Sequence, residues 1–333
     1  MENFNPDDLS RFDAFIIHTT TYKTVSNHPI TTDVLIPKTL TSSHPASPSP
    51  SPPRPILLRF HGGGLVGASS LFPDFFAPWH MELALRHAAV IVTPNYRLLP
   101  EATVPEIASD IDDLWAWLQA ALPAFVANET RGAVAVTADR VVTAGDSAGG
   151  YLSLLVALRH PDGVRAATEA YPMLDVRGAH FVQAYDKPMF GLPMLPRSVI
   201  DAHLEKVEKG EVPGIVSADP KLERGQLTFA CAQHGVIGRA FPAERRDLVV
   251  YEALEDGARL PRGGVFVWQG RVDSVVPVEG SVKLEALVRE LDPELPFRLY
   301  VADGGEHGFD LKSSIEEEWM AEGLRPIVQA WLA

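Results

Sequence analysis

Val141-Val142-Thr143-Ala144-Gly145-Asp146-Ser147-Ala148-Gly149-Gly150 is a β-branched run that stops at a G-x-S-x-G turn and flows into an apolar helix. Such a turn bends sharply from strand to helix and holds its serine in a strained conformation, so only small residues fit beside it. Gly145, Ala148 and Gly149 meet that demand around Ser147, the candidate nucleophile. Leu152, Leu154, Leu155 and Leu158 supply the apolar face of the helix that follows. The backbone N–H of Ala148 therefore lies at a helix N-terminus, where negative charge is favoured.

Working outward, Pro55 to Phe60 is a short apolar run suited to a buried strand, and it ends at His61-Gly62-Gly63-Gly64. Successive glycines after a strand let backbone N–H groups approach a ligand closely, as a preorganised oxyanion loop requires. Phe72, Phe75, Phe76 and Trp79 follow, too aromatic for an ordinary surface loop. All four are candidates to wall a substrate pocket, Phe72 and Phe76 foremost, with core packing the alternative. Ala89 to Thr93 reads as another strand, Pro105 to Leu122 as an amphipathic helix stopped by Pro123, and Val164 to Tyr171 as the next strand. The repeated βα rhythm predicts a mostly parallel central sheet with helices on both faces.

Two regions depart from that rhythm. Phe12 to Thr19 and Thr31 to Ile36 alternate like edge strands, and the proline- and serine-rich stretch over 44–54 reads as an exposed loop. From about 174 to 260 apolar residues are interspersed with prolines, followed by a charged helical stretch near Ile200 to Lys209. This reads as a helical cap, completed by the N-terminal segment of about residues 1–30, with Phe190 and Met194 as candidate substrate contacts. The rhythm returns in Gly264 to Trp268 and Phe297 to Val301, each running into a polar loop, and a helix from about Ile315 to Leu332 closes the chain.

Size and charge narrow the field. With 333 residues, 46% of them hydrophobic, the chain suffices for one elaborated domain over 1–333. The 29 basic against 43 acidic residues leave a net charge of −14, which repels phosphate backbones and anionic lipid and so argues against nucleic-acid and membrane-surface partners. No apolar run is long enough to span a bilayer, and the first residues lack the basic and apolar parts of a signal peptide, so the expectation is a cytoplasmic protein. The single cysteine, Cys231, excludes an intramolecular disulfide and cysteine-built metal clusters.

The loops after the last two strands carry Asp273 and His307. Ser147, Asp273 and His307 thus follow the nucleophile, acid, histidine order of an α/β-hydrolase. A serine hydroxyl needs a neutral imidazole to take its proton, and the imidazole needs a carboxylate to fix its tautomer. Among eleven histidines, His307 stands out by its flanking glycines in a late post-strand loop. Asp303, Glu306 and Asp310 also lie near it in sequence; an orienting acid normally arrives from the preceding strand's loop, which favours Asp273.

Together His61-Gly62-Gly63-Gly64, Tyr96-Arg97-Leu98-Leu99-Pro100-Glu101, Gly145 to Gly150 and Glu306-His307-Gly308-Phe309 resemble the hormone-sensitive-lipase-like, or fold-3 carboxylesterase, family of α/β-hydrolases, over about Ile56 to the C-terminus. The resemblance implies an α/β-hydrolase fold with a cap, oxyanion donors at the backbone N–H groups of Gly63, Gly64 and Ala148, and no metal or organic cofactor. It implies a small-molecule acyl substrate cleaved as a carboxylic ester, and it leaves a homodimer open. Leu99 stands where the family commonly has alanine, and Asp273-Ser274-Val275-Val276-Pro277 resembles the acid loop of peptidase- and dienelactone-hydrolase-like relatives. Amide or lactone hydrolysis, acyl transfer and a non-catalytic receptor role, as in plant gibberellin receptors, are therefore the rival expectations. Intact Ser147 and His307 speak against the receptor.

Overall fold

Strands β1 (Phe15–Val25) and β2 (His28–Pro37) form an antiparallel hairpin, displaced from and longer than the alternation over 12–19 and 31–36 suggested. The structure, a computed structural model, describes residues 4–41 and 52–333, so the expected loop over 44–54 lies outside the described residues up to position 51. The remaining strands are β3 (Arg54–Phe60), β4 (Val90–Pro94), β5 (Val136–Asp146), β6 (Val164–Ala170), β7 (Val265–Gly270) and β8 (Phe297–Ala302). They make one sheet in the order β1-β2-β4-β3-β5-β6-β7-β8. From β4 to β8 all neighbours are parallel, and β2 joins β4 antiparallel.

The two-residue period of a strand divides the apolar runs between two cores. Ile56, Leu58 and Phe60 face one side with Val265 and Val267, where helices Val104–Ala120, Ala148–Arg159 and Val278–Leu291 pack. Leu57, Phe266 and Trp268 face the other, under Pro78–Arg86 and Glu318–Leu332. Helix Val104–Ala120 starts at a capping box, with Thr103 and Glu106 each satisfying the other's backbone N–H. Pro123 does not merely stop that helix: it sits in the first turn of the next one, Leu122–Glu129, where its missing N–H costs nothing.

The cap is smaller than the sequence suggested. Residues 15–25 and 28–30 belong to the sheet, so of the expected N-terminal part the segment from Phe4 to Ala14 lies outside it. Helices Ala179–Val182, Ser198–Glu208, Gly225–Gln233 and Val236–Arg239 make the inserted part. Residues 248–254 instead pack on the scaffold helices, where Tyr251 Oη donates to Gly280 O of helix Val278–Leu291 at 2.7 Å. Tyr151 Oη, on the helix after β5, donates to Leu248 O at 2.9 Å. Glu101 anchors the insertion, accepting from Arg224 Nη2 (2.7 Å) and His203 Nε2 (2.8 Å). No helix of the described residues is long and apolar enough to cross a membrane.

Candidate active site

Ser147 sits between β5 and its helix at φ 56°, ψ −118°, a conformation that L-residues adopt only under constraint. The constraint is close packing. A Cβ on Gly149 would lie 2.1 Å from Phe60 O, so only glycine lets the helix start against β3. Gly63, at φ 97°, turns the loop after β3 toward the serine. Among the described residues no protein acceptor takes the backbone N–H of Gly63, Gly64 or Ala148. Three donors are thus available near Ser147, which is the chemistry that an anionic tetrahedral oxygen requires.

The loop is held from below by Asp146 and Arg59, whose pairing the sequence reading did not single out. Asp146 Oδ2 accepts from Gly62 N at 2.9 Å, while its Oδ1 accepts from Arg59 Nη2 at 2.6 Å. Arg59 is wholly buried and also donates to Ser70 O and Phe75 O. Burial pushes the Asp146 carboxyl up, against the pull of the Arg59 guanidinium. A cation inside the apolar run Ile56 to Phe60 was the available signal, because a buried charge demands a partner. His61 stacks on Tyr96, with centroids 4.4 Å apart, and shares a 2.8 Å hydrogen bond from Nδ1 to Gly62 O. Burial drives its pKa down to about 3, so it shapes the loop as a neutral ring.

On the other side of the serine, His307 Nδ1 donates to Asp273 Oδ2 at 2.8 Å. Asp273 Oδ1 accepts from Val275 N (2.9 Å) and Val276 N (2.8 Å). The three other acids weighed in the sequence go elsewhere. Asp303 pairs with Arg271 at the surface, Glu306 Oε1 accepts from Ser274 N and His307 N, and Asp310 Oδ2 accepts from the indoles of Trp79 and Trp268. Burial alone would push His307 down; the Asp273 charge and hydrogen bond, with Asp146 and Glu306, outweigh it and raise the imidazole above its ordinary value.

Ser147, His307, Gly63 and Gly64 line one cavity of about 410 Å³ with an apolar wall. Of the candidate substrate contacts, Phe75 and Phe190 line it, and Phe72, Phe76, Trp79 and Met194 do not. Phe72 turns into the core against Phe4 and Phe75, and Phe76 lies beneath the Arg59 guanidinium, 4.2 Å from ring to cation. Met194 lies beyond the Met189–Leu192 bridge, past the tip that reaches the site. Phe4, Phe181, Leu192 and Phe229 take their places.

A family model described as an alpha/beta hydrolase fold matches residues 57–211. Human hormone-sensitive lipase is 32% identical over 157 residues, 44% of this chain and 13% of that protein. A probable carboxylesterase, M8, from Phoma sp. (strain ATCC 20986 / MF5453) is 30% identical over 331 residues, covering 97% of this chain and 98% of its own. The chain belongs to the hormone-sensitive-lipase-like family of α/β hydrolases. Within that family it is a serine hydrolase of carboxylesterase type. A solved esterase from Pyrobaculum calidifontis shares the fold at a TM-score of 0.56 and 20% identity, over 99% of this chain and 95% of that one.

Proposed function

We propose that this hydrolase cleaves carboxylic esters of small to medium size through Ser147, His307 and Asp273. The observation that carries the reading is the 2.8 Å bond from His307 Nδ1 to Asp273 Oδ2. It leaves Nε2 of the neutral ring as a proton acceptor on a cavity that Ser147 shares. Ser147 Oγ attacks the ester carbonyl carbon as its proton passes to Nε2. The carbonyl oxygen becomes an oxyanion facing the N–H groups of Gly63, Gly64 and Ala148. The C–O bond to the alcohol breaks, Nε2 returns the proton to the departing oxygen, and water then repeats the sequence on the acyl-enzyme to release the acid.

The phenylalanine-rich wall suits an uncharged, apolar substrate, since a buried unpaired charge there would lack compensation. Turnover of p-nitrophenyl esters from acetate to laurate, with wild type beside Ser147→Ala, tests the reading. Activity on short and medium chains that vanishes in Ser147→Ala is the expected result. Organophosphonate labelling of Ser147 without turnover of any ester would replace ester cleavage by amide, lactone or acyl-transfer chemistry. Ester turnover surviving in Ser147→Ala would remove the serine from its role.

A further inference from the structure

Gln269 ends the apolar run of β7, Val265-Phe266-Val267-Trp268, and its side chain is fully buried beside the acid loop. Its Nε2 donates to Asp273 Oδ2 at 2.8 Å and to Val276 O at 2.9 Å, and its Oε1 accepts from Ser281 Oγ at 2.9 Å. Both partners of Nε2, a carboxylate and a carbonyl, can only accept, so the amide has one orientation that satisfies it. Reversing it would set an oxygen against two oxygens in a buried site. A buried amide that spends both of its N–H groups on the acid loop is costly to keep unless it is fully satisfied, and this one is tied to three separate pieces of chain. Those pieces are β7, the loop after it and helix Val278–Leu291.

We propose that Gln269 is a positioning residue for the hydrolytic reaction: it holds Asp273 in place and shares Oδ2 with His307 Nδ1, setting how strongly the carboxylate grips the imidazole. Oδ2 receives two donors, His307 Nδ1 and Gln269 Nε2. A neutral donor on a carboxylate oxygen weakens that oxygen as an acceptor for the second. Without the amide, Asp273 would hold the imidazolium more tightly and His307 would give up its proton less readily.

The inference rests on the triad reading above, and one set of variants separates the two. Wild type, Gln269→Met, Gln269→Glu, Ser281→Ala, Asp273→Asn and Ser147→Ala are compared in kcat, KM and the acid limb of the pH–rate profile, all as the full chain. Gln269→Met keeps the shape and loses both donors; kcat should fall about tenfold with KM within about twofold, and the limb should move to higher pH. Gln269→Glu sets a second carboxyl against Asp273, and its ionisation should carry the limb higher still. Ser281→Ala, which only frees Oε1, should move both readouts the same way by less, and decides the matter if the Gln269 variants do not fold. Wild-type kcat and an unmoved limb in the folded variants, beside an inactive Asp273→Asn, would overturn the role of Gln269 while leaving the triad. A lower kcat with the limb unmoved throughout would overturn it too, reducing Gln269 to a support of the loop. Ester turnover unchanged in both Asp273→Asn and Ser147→Ala would remove the triad reading itself.

Discussion

His307 is caught between two opposed influences, burial that disfavours its charge and the Asp273 carboxylate that favours it, and the second prevails. If His307 is the base of the proposed triad, its neutral form predominates only above the ordinary 6.5 of the imidazole, and kcat/KM should climb through a limb centred above that value. Asp273→Asn removes the charge and leaves burial to dominate. Its limb should move to lower pH while kcat falls by up to about 10⁴-fold, as a pH–rate profile would reveal. Arg59 poses the converse case. Arg59→Met strips Asp146 of its buried counter-charge, with an expected loss of about 3–5 kcal/mol in stability. Because Asp146 also holds Gly62 N, kcat should drop further than the lost stability explains; chemical denaturation and kinetics on the remaining folded enzyme separate the two effects.

Elements meet closely where the helix Ala148–Arg159 starts against β3. Gly149→Ala would press a methyl to 2.1 Å from Phe60 O, so helix and strand must part. We expect a lower melting temperature, on the order of 1–3 kcal/mol of stability, and loss of ester turnover as the N–H of Ala148 moves. A normal melting temperature with normal kcat would show that the turn tolerates a wider gap. This part of the molecule was legible in the sequence, because each element there is specified locally: β-branched residues before the turn, small residues in it, leucines at helical spacing after it. The positions of Asp273 and His307 were legible for the same reason, each following its own strand. Arg59, Gln269 and Phe4 were not, since their partners lie far along the chain and only the fold brings them together. Phe72 and Phe76 were assigned to the pocket on composition, but composition cannot tell which side of a loop a ring will take. The limits of the inserted segment escaped for a related reason: residues 248–254 are as apolar as the residues before them, and what distinguishes them is their bonds to scaffold helices, from Tyr151 to Leu248 O and from Tyr251 to Gly280 O.

Across the whole molecule the inserted cap is tied to the sheet by Arg224, which donates to Glu101, Val66 O and Leu99 O. Arg224→Ala would leave the Glu101 carboxylate with His203 alone and should loosen the cap. The expected result is a rise in KM for the preferred p-nitrophenyl ester and a flatter dependence on chain length; an unchanged profile would mean that the other cap contacts suffice. The bond between Asp273 and His307 reaches further than the reaction. A folded chain that holds the imidazole's proton more tightly than the unfolded one is stabilised by that proton: the increment is complete below the unfolded value, near 6.5, and disappears as pH rises through the higher folded value. By the proposed triad, turnover requires that same proton to leave. The sturdiest form of this enzyme on the acid side is thus an idle one, and each step of pH that switches it on lowers its melting point relative to a His307→Gln chain.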